Sequence, residues 1–517
     1  MHKPHSDDGC RFQWSRHSVA SILLVVSTGA CAQDSVSNEP EARIFSITPR
    51  ISMTETLTDN VRLASTAPQS EWVTRFSPGI RVVSNMGRLQ GYFDYSLDQL
   101  VYAQTTSANT QQNSLNTAAT LEAVDNWAYI DFSGTISQQA ISVFGAQSND
   151  NVAINPNRTE VSSYRFSPYV RGRIGSLADY EVRYSRSATR SDSMVSDVSS
   201  VDSMARVSGA SAFRNLGWSA DISQQKVDYS AGRVTEAERL NLILTYALSP
   251  QLSVSATGGR EANNFTTLDK ESYTNSGFGV GWSPSPLTRV QASRAQRSFG
   301  DTHNVSLEHR TAKTAWRFAD VKDVSVTPNQ TGLASRGAVF DILFDQFATI
   351  EPNPTARAQL VNAYLQANGI SPNAVVISSY LTSAVALQRR QDVSVALIGV
   401  RDTVTFIASR SQNNRLDLVS VGADDLSTSS VLRQHGFSIN YAHRLTPDYS
   451  LGVLLSQQTI SGELNQQDAT LRSLNFSISG RLGKKSTGLL SVVRIVSSGS
   501  AASYAENAVT VNLIVQF

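Results

Sequence analysis

From Ala508 to Phe517 the chain alternates strictly. Val509, Val511, Leu513, Val515 and Phe517 form one face, and Ala508, Thr510, Asn512, Ile514 and Gln516 the other. A period of two is that of an extended strand, whose successive side chains point to opposite faces. An apolar strand left as a bare edge recruits other chains, so this one is expected to be paired. The same alternation recurs upstream. Leu89, Phe93, Tyr95, Leu97 and Val101 share a face opposite Gln90, Tyr92, Asp94, Ser96 and Asp98. Between Tyr164 and Ile174 the aromatic and aliphatic positions oppose Arg165, Arg171 and Arg173, and Glu181 and Arg183 continue the charged face beyond a turn at 175–178. Charged groups opposite an unbroken apolar face suit a wall with lipid on one side and water on the other. In a soluble sandwich the apolar face would meet a second sheet instead.

The connections carry a second rhythm. Short turns such as 176–179, 249–251, 446–448 and 483–486 mostly alternate with longer polar segments such as 104–114, 148–158, 190–204, 411–430 and 498–506. Short turns at one end and long loops at the other are the arrangement of an outer-membrane barrel. Counting back from Phe517 predicts an all-β fold, a transmembrane antiparallel β-barrel of about 18–22 strands, each about ten residues long as a tilted crossing requires. The last seven strands of that count include those over 376–388 and 393–410. No run of 18 apolar residues is present, so no spanning helix is expected.

One stretch departs from the pattern. Residues 338–370 read as a helical insert, with Asn353 as a cap, Pro354 at the first helical position and Gly369 as a stop. Phe340, Phe344, Phe347, Leu360 and Tyr364 need cover from water. Parity puts the insert at the long-loop end. A plug folded into the lumen, a cap packed on itself, and a docking element for a partner are the three arrangements that would supply the cover.

The N-terminus supplies an address. Lys3, Arg11 and Arg16 surround and precede the short apolar run from Val19 to Val26, and Ala30-Cys31-Ala32 follows. This predicts a secretory signal peptide over 1–32, with the barrel over 33–517 placed in the cell outer membrane. A lipoprotein would instead be acylated at Cys31, although Thr28 stands where an aliphatic residue is expected. Cleavage before Gln33 leaves no cysteine, and therefore no disulfide.

Composition narrows the function. Lys+Arg number 44 against 43 Asp+Glu, and charged residues are only 17%. Removing three basic and two acidic residues with the signal segment leaves 41 against 41. That balance excludes a globally basic nucleic-acid binder. No metal or cofactor motif is evident: His303, His309, His435 and His443 stand apart, and the glycines of 277–281 fall in strand-like alternation rather than in a phosphate loop. The expectation is a barrel with no catalytic residue, no metal and no cofactor. Its candidate lumen-facing charges are Asp94, Asp98, Arg165, Arg171, Arg173, Glu181 and Arg183. Cross-strand Arg–Glu ladders would stiffen the wall or tune a pore for polar polymers.

Three blocks carry a family resemblance: Phe45 to Ala64, Trp72 to Ile80 with Tyr92 to Tyr95, and the insert from Phe340 to Gly369. Together with the terminal Leu513, Val515 and Phe517, which resemble the assembly signal of outer-membrane barrels, they resemble the β-barrel family associated with exosortase/PEP-CTERM sorting systems. The resemblance implies a Gram-negative outer membrane, lipid and the barrel-assembly machinery as partners, and a link to exopolysaccharide and its export proteins. A channel or accessory component of exopolysaccharide export is the implied function. A general diffusion porin and a non-conducting scaffold that docks secretion partners are the alternatives.

Overall fold

The computed structural model describes residues 45–148, 151–192, 197–210, 215–230, 233–326, 380–382, 384–416, 424–463, 467–500 and 503–517. The segments expected to form the signal peptide and the helical insert, with Phe340, Phe344, Phe347, Leu360 and Tyr364, lie outside these residues.

A single 22-stranded antiparallel sheet closes on itself. Strands follow one another around the wall as β1 (Phe45–Thr58), β2 (Glu71–Asn85), β3 (Leu89–Tyr102), β4 (Thr110–Val124), β5 (Ala128–Ala140), β6 (Arg158–Ile174), β7 (Ala178–Ser191) and β8 (Val198–Ala210). The wall continues through β9 (Leu216–Tyr229), β10 (Val234–Ala247), β11 (Leu252–Asn263), β12 (Glu271–Ser285), β13 (Thr288–Arg297), β14 (Gly300–Arg310) and β15 (Thr314–Ser325). It is completed by β16 (Ala386–Ile398), β17 (Asp402–Arg415), β18 (Val431–Arg444), β19 (Tyr449–Ser461), β20 (Asp468–Arg481), β21 (Ser486–Gly499) and β22 (Tyr504–Gln516). Each strand pairs with its chain neighbours, and β1 pairs with β22 from Arg50–Gln516 to Thr58–Ala508. The Phe517 amide donates to the Pro49 carbonyl at 3.0 Å and completes the seam. Closure leaves no edge, which is what a sheet in hydrocarbon requires, because an unpaired backbone group there has no water to bond.

Side chains sort by parity. On β1, Ile47, Ile51, Met53 and Leu57 are exposed, whereas Thr54, Thr56 and Thr58 are buried. On β10, Leu240, Leu242, Leu244 and Tyr246 are exposed on the same side. The outer wall is thus an apolar belt and the inner wall is polar, the inverse of a water-soluble protein. Toward the short-turn end the belt finishes in the exposed Tyr246, Trp282, Trp316 and Tyr449 and the half-buried Trp218. Trp127 donates to the Tyr180 hydroxyl at 3.0 Å in the same band. Amphipathic rings of this kind line the boundary between hydrocarbon and headgroups. The barrel is an outer-membrane type by architecture.

Two neighbouring strands are shifted from the sequence reading. The strands expected over 376–388 and 393–410 are instead Ala386–Ile398 and Asp402–Arg415. The turn between them is 399–401, where the Gly399 amide donates to the Asp402 carbonyl at 2.7 Å. Val400 at its tip is 92% exposed. An apolar residue at a turn tip hides the turn inside the run Val393–Val400. β8 also starts earlier than expected, at Val198 within the segment 190–204 read as a loop, since its first half is rich in serine.

Candidate functional site: the lumen and the loop across its mouth

The inner wall has two chemically different sides. Across β17–β20 the inward positions between the strand ends are hydroxyls, amides and small or aliphatic groups. Thr405, Ser409, Ser411, Asn413, Ser438, Asn440, Ser456 and Ser473 are among them. The Ser456 and Ser473 hydroxyls lie 2.7 Å apart, so neighbouring strands bond to each other through their side chains.

The facing arc, β1–β7, is charged. Asp94 and Asp98 occupy inward positions of β3, and Arg165, Arg171 and Arg173 those of β6. Glu181 and Arg183 are inward on β7, across from Arg171 and Tyr169. The structure draws three of these into one cluster. Arg183 Nη1 donates to Asp131 Oδ2 at 2.7 Å and its Nε to Glu181 Oε1 at 3.0 Å. Its guanidinium carbon lies 3.8 Å from the centre of the Tyr169 ring. Tyr169 stacks on Tyr129, with centroids 5.1 Å apart and planes at 16°. Arg171 covers Tyr129 at 4.3 Å. The result is a ladder Arg171–Tyr129–Tyr169–Arg183, in which each cation gains from a ring face and a nearby carboxylate. Thr120 donates to the other Asp131 oxygen at 2.8 Å and holds that carboxylate in place.

The remaining candidates stand outside the ladder. Arg173 bonds Asp179 at 3.0 Å near the turn, with both side chains well exposed. Arg165 lies across from Ser133 and Ser187. Asp98 lies across from Gln112. Asp94 pairs with Arg50, 2.6 Å away on β1. Tyr129, Asp131, Tyr169 and Arg50 were not singled out by sequence. Tyr169 had a signal, since its parity with Arg171 places it on the charged face; the others needed the strand register.

The long-loop end holds the apolar core. The β5–β6 loop, 141–157, packs Val143 and Phe144 with Ala386, Leu432, Ile460 and Ala469, which are inward residues of β16, β18, β19 and β20. The same loop sets Val152 among Val61, Val73, Leu100 and Tyr102, on the β1–β3 side. It sets Ala153 beside Leu63, Ile495 and Tyr504. One loop touching inward faces from β3 round to β16 must cross the lumen. Gly145 lets it turn there: a Cβ would fall 2.3 Å from Cγ of Asn157, whose side-chain amide donates to the Ser142 and Ala146 carbonyls at 2.8 and 3.1 Å.

A latch of two aspartates ties this loop to a one-turn helix, α1 (Asp425–Thr428). Asp425 accepts from the Ser142 hydroxyl at 2.6 Å and the Val143 amide at 2.8 Å. Asp424 caps the helix, accepting from the Ser427 amide at 2.8 Å, and also accepts from the Thr382 hydroxyl at 2.9 Å. Burial pushes the Asp425 carboxyl above its usual range, and the adjacent Asp424 charge pushes the same way, against the bonds from Ser142 and Val143. Burial also pushes the nearby Tyr380 hydroxyl well above its ordinary value.

No family model matches the sequence, and no curated protein matches it. Solved structures of low identity are similar to the chain. The FrpB iron transporter from Neisseria meningitidis (F3-3 variant) is 10% identical, with 91% of this chain and 81% of that one covered and a TM-score of 0.48. The siderophore receptor PiuA from Acinetobacter baumannii is 7% identical over 91% and 82%, with a TM-score of 0.47. The siderophore receptor PirA from the same organism is 8% identical over 94% and 81%, with a TM-score of 0.47.

Proposed function

We propose that the barrel is a channel component for exopolysaccharide export across the outer membrane. The observation that carries this reading is the pairing of a neutral hydroxyl-and-amide wall on β17–β20 with the Arg171–Tyr129–Tyr169–Arg183 ladder opposite. Sugars are recognised by many hydrogen bonds at fixed spacing and by planar groups that meet their ring faces. Guanidinium forks satisfy both, and Arg held by a carboxylate loses little freedom when it binds. The near balance of charge in the ladder suits a neutral or weakly acidic polymer and disfavours a strongly charged one. The family resemblance of the sequence supplies the exopolysaccharide link itself.

A packed mouth favours a regulated exporter over a general diffusion porin, whose lumen stands open. Single-channel recording in planar bilayers tests the proposal. Soluble acidic or neutral polysaccharide fragments should block the current from the short-turn side, and Arg183→Gln with Tyr169→Ala should weaken the block by tenfold or more. Block that is equal in wild type and variant, or no block by any oligosaccharide, overturns it. Steady open conductance with passage of unrelated small solutes would favour the porin.

A further inference from the structure

We propose that the outer wall of β17–β21, at the loop-side margin of the apolar belt, binds a lipid that carries two phosphates. Arg410, Arg433, Arg472 and Arg494 are outward and exposed there. Each follows the belt on its own strand: Arg410 after Phe406 and Ala408, Arg433 beyond Ile439 and Phe437, Arg472 beyond Phe476 and Leu474, and Arg494 after Leu490 and Val492. A guanidinium at that depth meets headgroups, while the residues below it meet acyl chains.

The register sorts the four into two pairs. Arg410 lies across from His435, two residues from Arg433 on the same face. Arg472 lies across from Val496, two residues from Arg494. Diagonal neighbours of this kind sit about 7–8 Å apart, so both guanidinia of a pair can reach one phosphate. β19 separates the pairs with neutral Gln457 and Thr459. With about 4.8 Å between strands, the two pair centres are three strands and about 14 Å apart. A disaccharide phosphorylated at both ends spans such a gap, and acyl chains on it would lie along the belt. The shared chemistry is a phosphate ester recognised by paired arginines; the separation and the belt favour a lipid source over free phosphate.

Local neutralisation does not account for the patch. Among the described residues no ion pair joins any of the four arginines to a carboxylate. Arg472 Nε donates to Gln457 Oε1 and Arg494 Nη1 to Asn507 Oδ1, both at 3.2 Å and both neutral. Asp468 and Glu463 lie at the loop rim beyond them. The contrast is with Arg389 on β16, whose two donors engage Asp320 at 3.1 and 2.8 Å.

The test uses the folded full-length barrel in phosphatidylcholine nanodiscs doped with bis-phosphorylated, mono-phosphorylated or dephosphorylated lipid A, read by native mass spectrometry. Wild type should retain the bis-phosphorylated lipid at least tenfold better than the dephosphorylated one, with the mono-phosphorylated form between. Retention independent of phosphate number overturns the proposal, and this arm needs no variant. Arg410→Gln with Arg433→Gln, or Arg472→Gln with Arg494→Gln, should each reduce bis-phosphorylated binding to the mono-phosphorylated level. A folded fourfold variant that retains the lipid like wild type overturns it. Inorganic phosphate should not displace the lipid at millimolar concentration; complete displacement overturns the lipid assignment and leaves an anion site.

Discussion

Arg50 reaches across β2 to Asp94 by passing over Gly79. Arg50 is on β1 and Asp94 on β3; on the intervening β2, Gly79 lies across from Arg50 and Arg81 across from Asp94. Arg50 Nη2 reaches Asp94 Oδ1 at 2.6 Å and Nη1 reaches Oδ2 at 3.1 Å, a two-point pair. A Cβ at Gly79 would lie 3.1 Å from Arg50 Nε and 2.8 Å from the Tyr95 carbonyl oxygen.

Gly79→Ala should therefore strain the wall beside the β1–β22 seam. Overpacking of a fitted position costs about 1–3 kcal/mol. The expected outcome is a lower temperature for the gel-mobility shift that reports unfolding of the barrel. Asp94→Asn should lower it too, by removing the charge that Arg50 faces. A Gly79→Ala barrel as heat-resistant as wild type would show that Arg50 does not lie over this position.

Leu513→Arg and Asn512→Arg test the two faces of one strand. Leu513 is outward, across from Met53 and Gly488. Asn512 is inward, and its amide donates to Ser52 and Thr54 hydroxyls at 2.8 and 2.6 Å. An arginine facing mid-bilayer costs about 2–4 kcal/mol, whereas the wetted lumen solvates it. Leu513→Arg should sharply reduce the assembled fraction in the outer membrane, and Asn512→Arg should leave most of it. Equal yields would mean that the register is shifted by one.

Acid should tighten the latch at Asp425. The folded carboxyl titrates above its unfolded value, so the closed form takes up the proton more readily than the opened one. Its penalty is absent below the ordinary carboxylate range and is complete once pH has risen past the raised folded value. Conductance should fall as pH drops through that window. Asp425→Asn, which is neutral at every pH, should flatten this dependence. A wild-type conductance that rises on acidification, or an unchanged slope in the variant, would count against the latch.

Replacing 143–153 by a short glycine–serine link should raise single-channel conductance several-fold, since Val143, Phe144 and Val152 supply apolar packing at the mouth. Strand pairing does not run through this loop, so assembly should persist. Deleting 338–370 in a parallel variant measures what the insert adds. If only the second deletion opens the channel, the β5–β6 loop is not the barrier.

What the amino-acid pattern determined by itself was the wall. Alternation is a local property, and a strand between lipid and water must show it, so a range for the strand number, the two faces and the order of short and long connections were legible. Where an apolar Val400 sits at a turn tip, that local signal failed and two strands shifted. The inward parity of Asp94, Arg171 and Arg183 was readable for the same reason. Tertiary structure alone decided what those groups meet. Tyr129 stacks on Tyr169 only because β5 and β6 pair in one register, and Arg50 reaches Asp94 only because β2 offers Gly79 at the crossing. The loop across the mouth was the least legible feature. Val143, Phe144, Val152 and Ala153 are four small or apolar residues in a loop with no period of its own. Their partners, from Val61 to Tyr504, become neighbours only when the barrel closes and brings distant strands around one lumen.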